Sequence, residues 1–327
     1  MNRNRLLNAK NWWRESKLNT KNRRSLDVNR YAYRPTFNVR RFIGCFQCIS
    51  VFYSLIFGLW LLTVFFNLNC TQPTPKIPKR IVSLVPSITE IIFALGREEY
   101  LKGNTIYCDY PEPAKQIYKV GDFSNPSLEK IVNIKPEIVF ATMPEQKIVI
   151  EKLKELGIEV FISQPNDITG MLKEIRAMAK VLGVMHKGDS LAKAIETELN
   201  QMKPKPTRVP VYLEISSTPL MTVGNGSFIN DVIKRAGGKN IFEDLIQEYP
   251  VIDQEEIIKR NPEKIFILHP LTKKQELKER IGWWKIAAVK NNQIYDDINP
   301  DLIFRPGPRI IEGIKALAQP ISSYKNP

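Results

Sequence analysis

A short passage occurs twice in this chain and narrows the folds open to it. Leu128-Glu129-Lys130-Ile131-Val132 leads to Pro136-Glu137-Ile138-Val139-Phe140, and Gln254-Glu255-Glu256-Ile257-Ile258 leads to Pro262-Glu263-Lys264-Ile265-Phe266. In both copies a Glu stands seven residues before a Pro, an Ile-Val or Ile-Ile pair lies between them, and an apolar run follows the Pro-Glu. The duplication implies two similar lobes.

The segments around each copy alternate in type. Ile81–Val85 is a short β-branched run of the kind a buried parallel strand requires, and Pro86–Glu90 turns it into a helix. Ser87 with Glu90 three places on has the spacing of a capping box, which predicts a helix over 88–95 closed by Gly96. Leu128–Asn133 reads as a helix capped by Ser127, Ile138–Ala141 as a strand, Lys147–Leu156 as a helix ended by Gly157, and Val160–Ile162 as a strand. Strand then helix, repeated, means a parallel sheet with helices on its faces. From Ile168 to Met202 the pattern is helical alone, with a break expected at Gly183 and Gly188, and this stretch reads as a strut between two halves. Alternation then resumes. Pro210–Ile215 and Ile265–Leu268 are expected strands, and Phe228–Ala236 (capped by Ser227), Gln254–Arg260 and Pro308–Leu317 are expected helices.

Charge is unevenly spread. Residues 1–42 hold twelve Lys/Arg against Glu15 and Asp27, which is +10 of the total +14, so the high isoelectric point describes a tail rather than the folded body. Ile43–Leu68 carries no charge, and as a helix its inner part would cover roughly 27 Å, close to the ~30 Å hydrocarbon core. The segment is expected to insert, with the basic tail cytoplasmic and residue 71 onward exported. The run exceeds an ordinary signal core and no Ala-x-Ala follows, so an uncleaved anchor is the favoured expectation. Cys70 offers lipidation as an alternative, although Asn67 and Asn69 stand where such sites usually hold Leu and a small residue. Residues 71–79 form a Pro-rich linker. The expected organisation is a tail (1–42), a membrane helix (43–68), the linker, an N-lobe (80–166), a helical strut (167–205) and a C-lobe (206–327). A basic patch beside a membrane segment needs no nucleic acid to explain it.

Catalytic signatures are missing. His186 and His269 have no partner at metal-ligand spacing, and there is no phosphate-binding loop and no nucleophile elbow. No enzyme activity, resident cofactor or metal is therefore expected, an α/β hydrolase being the remote alternative. Aromatic and polar residues do gather in loops after strands: Tyr107, Tyr110, Phe123, Tyr249, Trp283, Trp284 and Phe304, with Asp301, Arg305 and Arg309. In open α/β sheets ligands bind outside the carboxyl ends of the strands, where such loops lie. Trp283 and Trp284 are expected to pack onto helices rather than to meet a ligand. Glu129 and Glu255 occupy the second position of their helices, which the helix dipole favours by about 0.3–1 kcal/mol. The dipole alone leaves unexplained why both lobes show a Glu at the same address.

Residues 80–96 (RIVSLVPSITEIIFALG), 107–111 (YCDYP), 119–141 (KVGDFSNPSLEKIVNIKPEIVFA), 223–242 (VGNGSFINDVIKRAGGKNIF) and 305–318 (RPGPRIIEGIKALA) resemble the periplasmic binding proteins of cobalamin, haem and iron-siderophore ABC importers, most closely the cobalamin-binding branch. The resemblance implies two Rossmann-like lobes with parallel sheets joined by a single rigid helix. It also implies a ligand held flat between the lobes, cobalamin first, with a ferric siderophore or haem as the alternative. Ser87, Tyr107, Phe123, Thr142, Met221, Tyr249, Asp301 and Arg305 would line the cleft, and Glu129 and Glu255 would engage an ABC permease dimer carrying its ATPase subunits. Where the cobalamin-binding branch has tryptophans this chain has Phe123, Thr142 and Tyr249, and Met221 replaces a Phe, so stacking area is reduced.

Overall fold

A computed structural model describes residues 77–202 and 208–323; the basic tail, the apolar run, Cys70 and most of the Pro-rich linker lie outside the described residues. Among the described residues no helix is long and apolar enough to cross a membrane.

Two four-stranded sheets form the frame. The first contains β1 (Ile81–Ser83), β2 (Leu101–Asn104), β3 (Ile138–Thr142) and β4 (Val160–Ser163), in the order β2-β1-β3-β4. After β5 (Val209–Glu214) and a small antiparallel pair, β6 (Ser216–Ser217) with β7 (Leu220–Met221), the second sheet is completed by β8 (Gly238–Asn240), β9 (Lys264–Ile267) and β10 (Ile294–Tyr295). Its order β10-β9-β5-β8, read from the other edge, is the order of the first sheet, and every pairing in both is parallel. The repeated passage occupies the same place in each lobe. Helix Leu128–Asn133 leads into β3 and helix Gln254–Arg260 leads into β9, the third strand of its own sheet.

Strand alternation divides the core. In β1, Ile81 packs into the large cluster shared by both lobes, while Val82 faces a cluster confined to the N-lobe with Val139, Ile131 and Leu153. In β5, Val211 and Leu213 enter the same shared cluster, and Tyr212 turns to a C-lobe cluster with Phe242 and Trp283. Each fully buried aliphatic side chain here contributes roughly 1.5–3 kcal/mol. One core is therefore continuous from lobe to lobe, which restrains the angle between them.

The connection differs from the single rigid helix expected. It is a hairpin of two antiparallel helices, Ile168–Val181 and Met185–Gln201, held by Arg176 to Asp189 (3.5 Å) and Glu196 (2.9 Å). Gly183, at φ +67°, makes the turn, as expected of glycine in the left-handed region. Gly188 does not break the chain but lies inside the second helix, where an added Cβ would stand 2.2 Å from the Ala179 side chain. Its lack of a side chain lets the two helices close on each other. The terminal helix also runs further than expected, Ile310–Ser322.

The capping box is a second correction. The first described helix is Pro86–Ala94, with Val85 at its N-cap, Pro in the first turn and no side-chain cap. Ser87 is already helical, and the Glu90 carboxylate turns inward, 3 % exposed, to arginines of the C-lobe. Ser127 and Ser227 do cap their helices, accepting from the amides of Lys130 (3.3 Å) and Ile229 (3.1 Å).

Candidate functional site

The carboxyl ends of the N-lobe strands and loops of the C-lobe enclose a cleft of about 470 Å³. In both sheets the first strand pairs with the second on one side and the third on the other, a reversal of strand order that opens a crevice at the strand ends. Seven of the eight residues expected at a ligand are brought together here: Ser87, Tyr107, Phe123, Thr142, Tyr249, Asp301 and Arg305. Met221 is not among the lining residues. It is held in the β6–β7 pair opposite Ser216 and bridges to Val251.

Other expected aromatics separate by burial. Phe304 lines the cleft. Trp283 is fully buried in the C-lobe core, edge-on to Tyr212 at 6.2 Å, with its indole N–H donating to Gln254 (3.2 Å). Trp284 is exposed and absent from the cleft, and Tyr110 lies under the Arg309 guanidinium, 3.8 Å from ring centre to Cζ. Glu129 and Glu255 are exposed on their helices and take no part in the cleft wall.

Arg305 is the one cation among the lining residues, and its charge is already engaged. Its guanidinium donates to Asp109 (2.8 Å), Glu90 (3.2 Å) and the Tyr107 carbonyl (3.3 Å), and pairs with Asp301 (2.8 Å). Burial works against its charge, but the Asp109 hydrogen bond and the Asp301 charge outweigh it and hold the group more basic than usual. For Asp109, burial again opposes ionisation, and the Arg305 hydrogen bond overcomes it, so the carboxyl lies below its ordinary range. Arg309 clasps Glu90 from the other side through Nε (2.8 Å) and Nη2 (2.6 Å). Glu90 and Asp109 belong to the N-lobe and both arginines to the C-lobe, so this cluster latches the lobes at one edge of the cleft.

Beneath the N-lobe wall lies Gln146, 1 % exposed. Its amide nitrogen donates to the carbonyls of Leu84 (3.0 Å) and Phe123 (2.8 Å), and its oxygen accepts from the Thr142 amide (3.0 Å). One side chain thus fixes the loops after β1 and β3 together with the loop carrying Phe123. The Thr142 hydroxyl donates to the Ser163 carbonyl (2.8 Å), tying β3 to β4 at the cleft floor. Gln146→Ala would leave two carbonyls and one N–H without partners, and a stability loss of about 1–3 kcal/mol is expected. The urea midpoint should fall accordingly with an unchanged slope.

Sequence reasoning missed Gln146, Glu90, and the acids Asp122, Glu145 and Glu248 that also line the cleft. Glu145 directly follows a Met-Pro at the end of β3, and Glu248 adjoins the expected Tyr249, so position after a strand was the only signal available.

A cleft between two like-wound α/β lobes with a helical hairpin between them is a design for enclosing a solute. The periplasmic binding protein family model matches residues 81–300. The chain belongs to that family. An uncharacterized ABC transporter substrate-binding lipoprotein of Bacillus subtilis is 34 % identical over 257 residues, 75 % of this chain and 81 % of the relative. The vitamin B12-binding protein of Vibrio parahaemolyticus is 28 % identical over 76 % of this chain and 90 % of its own length. Among solved structures, a possible iron-binding (periplasmic solute-binding) protein of Staphylococcus epidermidis superposes with a TM-score of 0.66 at 29 % identity, covering 76 % of this chain and all of that one. This periplasmic binding protein is accordingly a solute-binding component of an ABC importer and not an enzyme. Among its described residues no group of three or more His, Cys, Asp or Glu is placed to hold a metal ion.

Proposed function

We propose that the cleft captures a corrinoid, with vitamin B12 as the leading candidate, and that the loaded protein delivers it to a permease dimer through Glu129 and Glu255. The observation that carries this reading is the wall itself. It combines the aromatic side chains of Tyr107, Phe123, Tyr249 and Phe304 with the hydroxyl and amide groups of Ser87, Thr142, Gln164 and Asn166. A macrocycle with an apolar face and an amide-fringed rim meets both kinds of surface, and the relatives named for vitamin B12 binding point the same way.

The second reading, a ferric siderophore or haem, draws on the iron-binding description of the Staphylococcus protein and on the modest stacking area left by Thr142. Calorimetry of the purified full-length chain separates the two. One cyanocobalamin per chain is expected, and tight binding of a ferric siderophore or haem without any of cyanocobalamin would overturn the corrinoid assignment. Tyr107→Ala should weaken the bound corrinoid about tenfold through loss of an aromatic face. The urea midpoint should hardly change, because the ring is half exposed.

For placement, we propose that the binding domain lies outside the cytoplasm and is tethered through the apolar run 43–68, with the basic tail inside. Acylation of Cys70 is the alternative that the Bacillus lipoprotein supports. Mass spectrometry of the membrane-extracted protein distinguishes an intact N-terminus from a diacylglyceryl-cysteine.

A further inference from the structure

The charge of the cleft wall has a consequence for which solutes can enter. Four carboxylates, Asp122, Glu145, Glu248 and Asp301, line it against the single guanidinium of Arg305. That guanidinium is matched by Asp301, Asp109 and Glu90, so among the described residues the cleft wall has no cation to spare for a ligand. Asp122 accepts from the amides of Ser124 (2.8 Å) and Asn125 (3.1 Å). The carboxylates of Glu145 and Glu248 make no hydrogen bond or ion pair with any described residue, although the Glu248 carbonyl accepts from the Gly224 amide (2.9 Å). They belong to different lobes, Glu145 after β3 and Glu248 in the loop between β8 and the helix Gln254–Arg260, yet both act on the same phenol. Tyr249 is made less acidic first by burial, against the opposing Ser227 hydrogen bond, and then by the charges of Glu248 and Glu145. Two exposed acids, one from each lobe, therefore stand on the cleft wall around Tyr249.

We infer that this cleft is charge-selective: it takes a corrinoid with net positive charge in preference to a neutral one, and rejects anionic solutes, with Glu145 and Glu248 as the residues that set the preference. The inference rests on the corrinoid reading for its ligand, but the charge rule itself comes from the wall. Walls of low dielectric focus the field of like charges into the cleft. A bound cation gains the attraction of both carboxylates, and a bound carboxylate would meet the repulsion of both. Anionic iron chelates and the propionates of haem meet the same repulsion.

The test is a series of cobalamins that differ in charge and little else: aquocobalamin as cation, cyanocobalamin as neutral, and a cyanocobalamin monocarboxylic acid as anion, each titrated into the full-length chain by calorimetry. Affinity is expected to fall by about fivefold at each step, the size of an interaction across several ångströms at intermediate dielectric. The steps should shrink at about 0.5 M salt, where the screening length is only a few ångströms. In Glu145→Gln with Glu248→Gln the three affinities should converge, and tight binding of neutral cyanocobalamin should remain. Equal affinities for all three in the parent, or a ladder unchanged in the double variant, would overturn the inference.

If no cobalamin binds, the corrinoid reading fails, and the charge rule is then judged on cationic ferrioxamine B, neutral ferrichrome and anionic ferric enterobactin. The same descending order is expected, with the same collapse in the double variant. An absent or reversed order there, or no binding of any of the three, overturns the rule as well.

Discussion

Glu90→Ala is expected to destabilise the protein by about 3–5 kcal/mol, the cost of removing one partner from a buried ion pair. The Glu90 side chain is 2 % exposed, and those of Arg305 and Arg309 are 11 % and 14 % exposed. Both guanidinium groups were brought out of water to meet this carboxylate, and neither can return without opening the junction between lobes. Arg309 loses more than Arg305. Its Nε and Nη2 both donate to Glu90, whereas Arg305 keeps Asp109 and Asp301. Glu90→Gln, which preserves shape and one acceptor, should recover part of the loss. At 2–4 °C per kcal/mol for a domain of this size, the melting temperature should drop by about 6–20 °C.

The exposed pair Glu112–Lys115 provides the contrast. Its distance is as short, 2.7 Å, but the side chains are 76 % and 49 % exposed, and Glu112→Ala should leave the urea midpoint almost where it is in the parent. The measurement is urea unfolding of the three variants beside the parent. A Glu90→Ala midpoint within experimental reach of the Glu112→Ala midpoint would remove the latch from this account. A shallower transition in Glu90→Ala would be informative in another way, since it is the mark of lobes that no longer unfold together.

The same residue shows what the sequence could and could not reveal. Elements whose signals are local were legible. The alternation of strand and helix, the Ser127 and Ser227 caps and the duplicated Glu-to-Pro passage all reappear in the fold, the last as helices entering the third strand of each sheet. Glu90 failed because its spacing from Ser87 is a local pattern while its partners lie 215 and 219 residues away. Gly188 failed for the same reason. A glycine within a helical stretch reads as a break, and only the neighbouring helix at Ala179 explains why a side chain is excluded there.

Resemblance located most of the cleft wall but also placed Met221 in it, whereas that residue is paired with Ser216 and Val251 and is not among the lining residues. Gln146 carried no motif at all. Its role exists only when three separate loops converge on one amide.

Replacing both Glu129 and Glu255 with alanine should abolish transport while leaving capture intact, and this is the largest functional effect expected. Each is exposed, each is the second residue of its helix, and each helix leads into the third strand of its lobe. Two lobes wound alike therefore present like-charged groups at like addresses, an arrangement suited to a partner that itself has twofold symmetry and basic sockets. Truncating one side of a charge pair buried on docking costs about 2–5 kcal/mol, so the double variant should lose at least about a hundredfold in productive docking. Folding should suffer little, because each Glu offers its helix only about 0.3–1 kcal/mol through the dipole.

Gln at both positions keeps size and hydrogen bonding but not charge, and should transport as poorly as Ala; Asp, which keeps the charge, should transport better than either. Uptake of labelled cyanocobalamin in cells carrying each variant as the sole copy, set beside calorimetric affinity of the same proteins, separates docking from capture. A fall in affinity that accounts for the fall in uptake would assign the two glutamates to the cleft after all, and undiminished uptake in the double Ala variant would mean that the permease reads some other part of the lobes.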